Sequence, residues 1–190
     1  MSKIILLNGP PRCGKDTASD FLCYRYNGVP QKISKVLKER THAWYGVVGQ
    51  DGSPARHDYF EDHKDVPQEV FEGLTPREAY IAMSENYIKP THGDSYLGRV
   101  LARSIRRMDS ILRQERTHVV SDSGFRGEAE ELVREFGPDK ILLVRIHRAG
   151  YDFKHDSRGY IDLADLGVAC FDVLNPGDAG FAAALKAALP

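Results

Sequence analysis

The stretch GPPRCGKDT, residues 9–17, combines residue types and spacing that could do chemistry. Gly9, Gly14 and Lys15 form G-x-x-x-x-G-K, the spacing of a phosphate-binding loop. Glycines let backbone N–H groups converge on phosphate oxygens. A helix starting at Lys15 would add its positive end, and Lys15 a point charge for the β and γ phosphates. Arg12 and Cys13 complete the loop, Cys13 as a small residue with a redox role as its rival reading. Asp16 stands where the pattern expects Ser or Thr, and Thr17 offers a hydroxyl one residue later. A carboxylate beside a triphosphate repels it unless a metal lies between them. Three readings of this pair stay open. Asp16 holds Mg²⁺ directly or through water; Thr17 takes the usual hydroxyl role; or Asp16 faces solvent in the helix's first turn, where negative charge is favourable. The plain alternative for the whole stretch is a glycine turn between strand and helix.

Phosphoryl transfer concentrates negative charge, and arginines suit it because their planar forks match phosphate oxygens. Arg77 follows TP; Arg99 and Arg103 are four apart and share a helix face; Arg126, Arg148 and Arg158 follow strands or lie in a polar segment that could close over ATP. Arg106, Arg107, Arg113 and Arg116 read as solvated surface. Asp122 follows the apolar THVVS, where it could hold a metal-bound water, orient the acceptor, or simply cap the next helix with Ser123 as rival. Tyr80, Tyr87, Tyr96 and Trp44 are candidates to stack on a base, and equally candidates for core. Glu85 and Asn86 could read base edges. The histidines, His92 and His155 among them, show no metal-ligand spacing and read as polar surface. A nucleophilic side chain is not required, because an acceptor phosphate attacks directly.

Elements must position these groups. KIILL (3–7) reads as a strand buried on both faces, Lys15–Tyr26 as a helix ended by Asn27-Gly28, and Ser34–Tyr45 as a second helix with Val47 and Val48 beyond it. Residues 50–73 read as polar loop. Thr75, Pro76 and Glu78 make a capping box for a helix to about Tyr87. A long helix is expected from Tyr96 to about Glu115, with Leu97, Val100, Leu101, Ile105, Met108, Ile111 and Leu112 inward. Strands at 117–121, 140–146 and 169–174 alternate with helices at 128–136 and 178–189. Alternation of this kind predicts an α/β fold with a parallel sheet.

The bulk numbers set limits. The chain has 190 residues, enough for a single domain over 1–190, and a formal net charge of −1, so no global basic field draws in nucleic acid. No apolar run is long enough to span a membrane, and MSKIILLNG is too short for a secretory signal. The cysteines Cys13, Cys23 and Cys170 are odd in number and form no C-x-x-C pair, so a reduced cytoplasmic setting is expected. Oligomeric state, a homodimer included, stays open.

The chain resembles the P-loop small-molecule kinases, which include adenylate-kinase-like enzymes and often carry Thr one position after the usual place. GKDT is similar in particular to phage-type deoxynucleoside monophosphate kinases. LTPREAY (74–80), GDSYLGRVLARSI (93–105), VVSDSGFRGEAEEL (119–132) and LLVRIHR (142–148) look like that family's blocks, in order. Departures exist: Asp-x-Arg-Phe appears as Asp122-Ser123-Gly124-Phe125 with Arg126 after, residues 50–73 have no counterpart, and KHDSRGY (154–160) only loosely echoes a His-x-Ser segment. The resemblance implies a three-layer α/β/α P-loop kinase with an acceptor-binding region over about 33–107 and a lid over about 148–167. It implies transfer of the ATP γ-phosphoryl group to a (deoxy)nucleoside monophosphate, with Mg²⁺, in the cytoplasm of a cell or of a phage host. Lys15, Asp122, Arg126 and Arg148 would be catalytic. Gly9–Thr17 and Arg158 would bind ATP, Asp16 and Thr17 the metal, and Arg77, Tyr80, Arg99, Arg103 and Asp122 the acceptor. Another small acceptor (dephospho-coenzyme A or a sugar acid) and a non-catalytic ATP-binding module are the alternatives.

Overall fold

The computed structural model describes residues 3–47, 57–154 and 156–189. Five parallel strands lie in the order β2-β3-β1-β4-β5: β1 Lys3–Asn8, β2 Val29–Gln31, β3 Thr117–Val120, β4 Ile141–His147 and β5 Ala169–Leu174. Ile4 to Leu7 of the central strand are at most 2% exposed, as a strand covered on both faces must be. Side chains alternate across it. Ile5 and Leu7 join Val119, Val144, Ile146 and Val173 on one face, where α1 (Lys15–Tyr26) adds Ala18 and Leu22, and α8 (Gly180–Ala188) adds Phe181 and Leu185. The opposite face belongs to α6 (Tyr96–Leu112) and α7 (Arg126–Phe136). There buried His118 lies 3.0 Å from Asp109 of α6, and its Nδ1 3.1 Å from Gln31 Nε2. The α/β fold with a parallel sheet expected from the alternating pattern is present, with helices on both faces.

The chain divides into two compact units, residues 1–33 with 98–190, and Ser34–Leu97. The second contains α2 (Ser34–Trp44), α3 (His57–Asp62), α4 (Pro76–Met83) and α5 (Lys89–His92). Its core joins Val47, Phe60, Phe71 and Ala79, with Tyr45 packed on them. The Thr75 cap is complete: its hydroxyl accepts from the Glu78 N–H at 3.2 Å and Glu78 Oε2 accepts from the Thr75 N–H at 2.8 Å.

Several expectations need correction. VPQ forms the edge strand β2, hidden in the sequence because it is three residues long and contains a proline. Its Gln31 carbonyl accepts from the Ser121 N–H at 3.1 Å. The segment 50–73 carries α3 and a 3₁₀ turn at Glu69–Phe71, whose Phe71 is fully buried. Val48, the start of that segment and His155 lie outside the described residues. The helix from Pro76 is α-helical to Met83 and continues as a π-turn over Ser84–Ile88. The long helix stops at Leu112 with Arg113 at φ 48°, and its Ile111 and Leu112 are exposed rather than inward. His42 and His118 are buried, not surface. Among the described residues no helix is long and apolar enough to cross a membrane.

Candidate functional site

Asn8 ends β1, and the loop 9–14 carries the chain into α1. Each glycine has a local reason. A Cβ on Gly9 would lie 2.7 Å from both Cys13 Sγ and the Ile146 carbonyl oxygen. Gly14 has φ +106°, and a Cβ there would meet Asn175 Nδ2 at 2.4 Å. Arg12 also adopts positive φ, 63°. Lys15 Nζ donates to the carbonyls of Gly9 at 2.7 Å and Pro10 at 2.6 Å, which fixes the ammonium over the loop. Burial pushes the Lys15 ammonium down from its ordinary range, opposed by neighbouring Cys13. Burial likewise raises the Cys13 thiol.

Two residues from beyond the loop hold it from behind. Asn175, buried just after β5, donates to the Cys13 carbonyl at 2.7 Å, while its own oxygen accepts from the Gly177 N–H at 2.8 Å. Arg148 donates to the Arg12 carbonyl at 3.1 Å and lies over the Tyr151 ring at 4.7 Å. Both line a cleft of about 260 Å³ that also receives Gly14, Thr17 and Phe181. Loop, helix start, basic side chain and adjoining cleft together can hold a polyphosphate with an attached ring system.

No protein-family description matches the sequence, and no curated protein matches it. Solved structures similar to it include three kinases. A gluconokinase from Sinorhizobium meliloti 1021 is 14% identical, with 97% of this chain and 87% of that one covered and a TM-score of 0.40. A sugar kinase from Janibacter sp. HTCC2649 is 12% identical over 93% and 88%, TM-score 0.45. A dephospho-CoA kinase from Campylobacter jejuni is 12% identical over 98% and 95%, TM-score 0.46.

The other expected residues fall in different places. Asp16 is 82% exposed and pairs with Lys32 at 3.4 Å, the solvent-facing arrangement; Thr17 is the neighbour that faces the cleft. Asp122 accepts from the Ile33 N–H at 2.7 Å, joining the end of β3 to the segment just after β2. Arg126 is committed to Asp165, Glu130 and the Asp162 carbonyl, at 2.7, 2.6 and 2.7 Å. Arg158 is bound to Asp156 by two parallel hydrogen bonds. Arg99 pairs with Glu131 at 3.1 Å, and Arg103 is exposed on the same helix. In the second unit, Arg77 pairs with Asp65 at 2.7 Å. Tyr80 donates to or accepts from buried His42 at 2.9 Å beside Phe71, and burial pushes its hydroxyl up to about 12. Trp44 and Tyr87 form an exposed pair with ring centroids 4.6 Å apart, and Tyr96 stacks on His92.

Three positioning residues went unread in the sequence. Asn8 is fully buried; its Nδ2 donates to the carbonyls of Ser123 and Gly159 at 3.0 Å each, and its Oδ1 accepts from the Ile161 N–H at 3.1 Å. Asn175 and Asp156 are the others. A polar Asn directly after the apolar run IILL was the only available signal; Asn175 and Asp156 sit in loops whose path no local pattern specifies.

Proposed function

We propose that the protein is an ATP-dependent phosphotransferase of the P-loop kinase kind, acting on a nucleoside monophosphate and preferring the deoxy form. The observation that carries the phosphotransferase reading is Lys15, held over the loop by the Gly9 and Pro10 carbonyls, with a cleft lined by Gly14, Thr17, Arg148 and Asn175 adjoining the loop. ATP phosphates would lie on the backbone of 9–15, and the ribose and base in the cleft. An arriving phosphate competes with two neutral carbonyls for the ammonium and wins on charge. Arg148 would add a second positive charge, and Arg158 a third from the proposed lid.

The residues fit Mg²⁺ held in the usual sparse way, through one side chain and phosphate oxygens. Thr17 in the cleft is the ligand of choice, and Asp16, turned to Lys32, is not. The metal would supply charge neutralisation on the transferring group. Asp122 would orient the acceptor or a metal-bound water.

The nucleotide acceptor rests on the sequence blocks at 74–80, 93–105 and 119–132. Arg77, Arg99 and Arg103 are the arginines proposed for its phosphate, and Arg126, bound to Asp165 and Glu130, is the weakest of the earlier catalytic candidates. Tyr80, tied to His42, serves the core of its unit better than a base.

The test is ADP formation from ATP and Mg²⁺ across a panel of deoxy- and ribonucleoside monophosphates, with gluconate and dephospho-coenzyme A included. Turnover with one or a few deoxynucleotides is expected, lowered by at least about 10²-fold in Lys15→Ala. Turnover only with gluconate or dephospho-coenzyme A would reassign the acceptor. ATP binding with silence across the whole panel would overturn the enzyme reading in favour of a nucleotide-binding module.

A further inference from the structure

Arg158 offers the fork that a phosphate would use, and a carboxylate of this chain already fills it. Arg158 Nε donates to Asp156 Oδ1 at 2.8 Å, Nη2 to Oδ2 at 2.5 Å, and the Arg158 backbone N–H to Oδ1 at 3.0 Å. The side chains are only 28% and 15% exposed, so solvent screens the pair weakly. Asp156 is fixed in turn by its N–H to the Phe153 carbonyl at 2.9 Å.

The pair lies at the phosphate-binding end of the sheet. The Arg158 stem runs over Gly124, where a Cβ would meet its Cδ at 2.3 Å, two residues beyond Asp122. The next residues are pinned to the strand that enters the loop. Asn8, the residue before Gly9, holds both Gly159 and Ile161, and the Tyr160 hydroxyl donates to the Ile146 carbonyl at 3.0 Å. Lys15 belongs to the same electrostatic neighbourhood. The Asp156 carboxyl is held below the usual range first by Arg158 and also by Lys15, while Arg158 pushes the Lys15 ammonium down and Asp156 pushes it up. One carboxylate therefore serves two cations that a transferring phosphoryl group also needs.

We propose that Asp156 is an internal stand-in for phosphate, a positioning residue whose carboxylate retains Arg158 until a nucleotide phosphate displaces it. Carboxylate and phosphate oxygens suit the same guanidinium fork, so the exchange needs no new geometry at Arg158. The displaced Asp156 carboxylate, next to polyphosphate, is repelled and leaves, which couples phosphate arrival to release of Asp156 from Arg158 while Asn8 keeps Gly159 and Ile161 in place. The idea rests on the reading that phosphates bind at Lys15.

The test is the affinity of the full chain for ATP and for inorganic tripolyphosphate, measured by titration calorimetry on wild type, Asp156→Asn, Asp156→Ser and Arg158→Ala. Removing the charge converts a charge-assisted bond into a neutral one. Both Asp156 variants are then expected to bind both ligands about fivefold to tenfold tighter. Arg158→Ala is expected to bind more weakly, and adding Asp156→Asn to it is expected to restore less than about twofold, the small share that reaches the ligand through Lys15. A gain in affinity is a readout that damage to the fold does not produce. Asp156 variants with the melting temperature of wild type and equal or weaker binding would overturn the stand-in alone. A gain as large without Arg158 as with it would overturn it too. Wild type that binds neither ligand would overturn the Lys15 phosphate site, and the stand-in with it.

Discussion

At the scale of residues, the loop proposed to take phosphate is held by Asn175, whose Nδ2 donates to the Cys13 carbonyl at 2.7 Å. Gly9, Gly14 and Lys15 announce themselves by spacing, because loop geometry imposes residue types on consecutive positions. Asn175 does the comparable work from 161 residues beyond Gly14, through two hydrogen bonds that only the fold creates. It is the clearest case of a side chain whose value is backbone satisfaction: without it the buried Cys13 carbonyl loses its partner. Asn175→Ala is expected to lower stability by about 1–3 kcal/mol, read by urea unfolding, and to raise the KM for ATP more than it lowers kcat, since the loop is loosened rather than stripped of charge. Unchanged stability and KM would remove Asn175 from the site. Asp16 teaches the reverse lesson. Its partner is Lys32, in the chain segment after β2, which no motif spacing announces.

At the scale of elements, type was legible in the central strand and the capped helix α4, and not in α3, whose buried Phe60 sits in a polar stretch. The apolar run of β1 and the capping box before α4 are local signals with local causes. The three-residue β2 has too few positions for any period, and the π-turn at Ser84–Ile88 leaves no mark on residue choice. Gly98 shows how an inter-helix contact hides in a helical pattern. A Cβ there would lie 2.3 Å from the Glu128 carbonyl oxygen and 2.7 Å from its Cα, so α6 and α7 touch backbone to backbone. Alanine is the better helix former by about 1 kcal/mol, but overpacking against backbone costs about 1–3 kcal/mol or more, because backbone cannot rotate away. Gly98→Ala is therefore expected to destabilise despite its propensity. A rise in melting temperature would show that the two helices can separate without loss.

At the scale of the whole molecule, the alternating pattern predicted the parallel α/β sheet, while the division into units of 1–33 with 98–190 and Ser34–Leu97 rests on contacts no composition shift marks. Global stability also inherits the fate of single buried groups. Tyr80 titrates near 10.0 when unfolded and at about 12 in place, chiefly because burial disfavours its anion. The native state thus keeps a proton that the unfolded chain has already lost, and stability falls as pH climbs from 10 toward about 12. Tyr80→Phe is expected to flatten that part of the curve, seen as a smaller decline in unfolding free energy across the window. A slope identical to wild type would place the Tyr80 hydroxyl in water.

Pro30 gives the sheet's first edge an unusual property. The Gln31 carbonyl points inward to Ser121, so by strand alternation the backbone that points outward from β2 is that of Pro30. Proline has no N–H. The outer rim of this three-residue strand therefore presents no donor with which the edge of another sheet could pair, and chain-to-chain β-association is discouraged on that side without a single charged side chain.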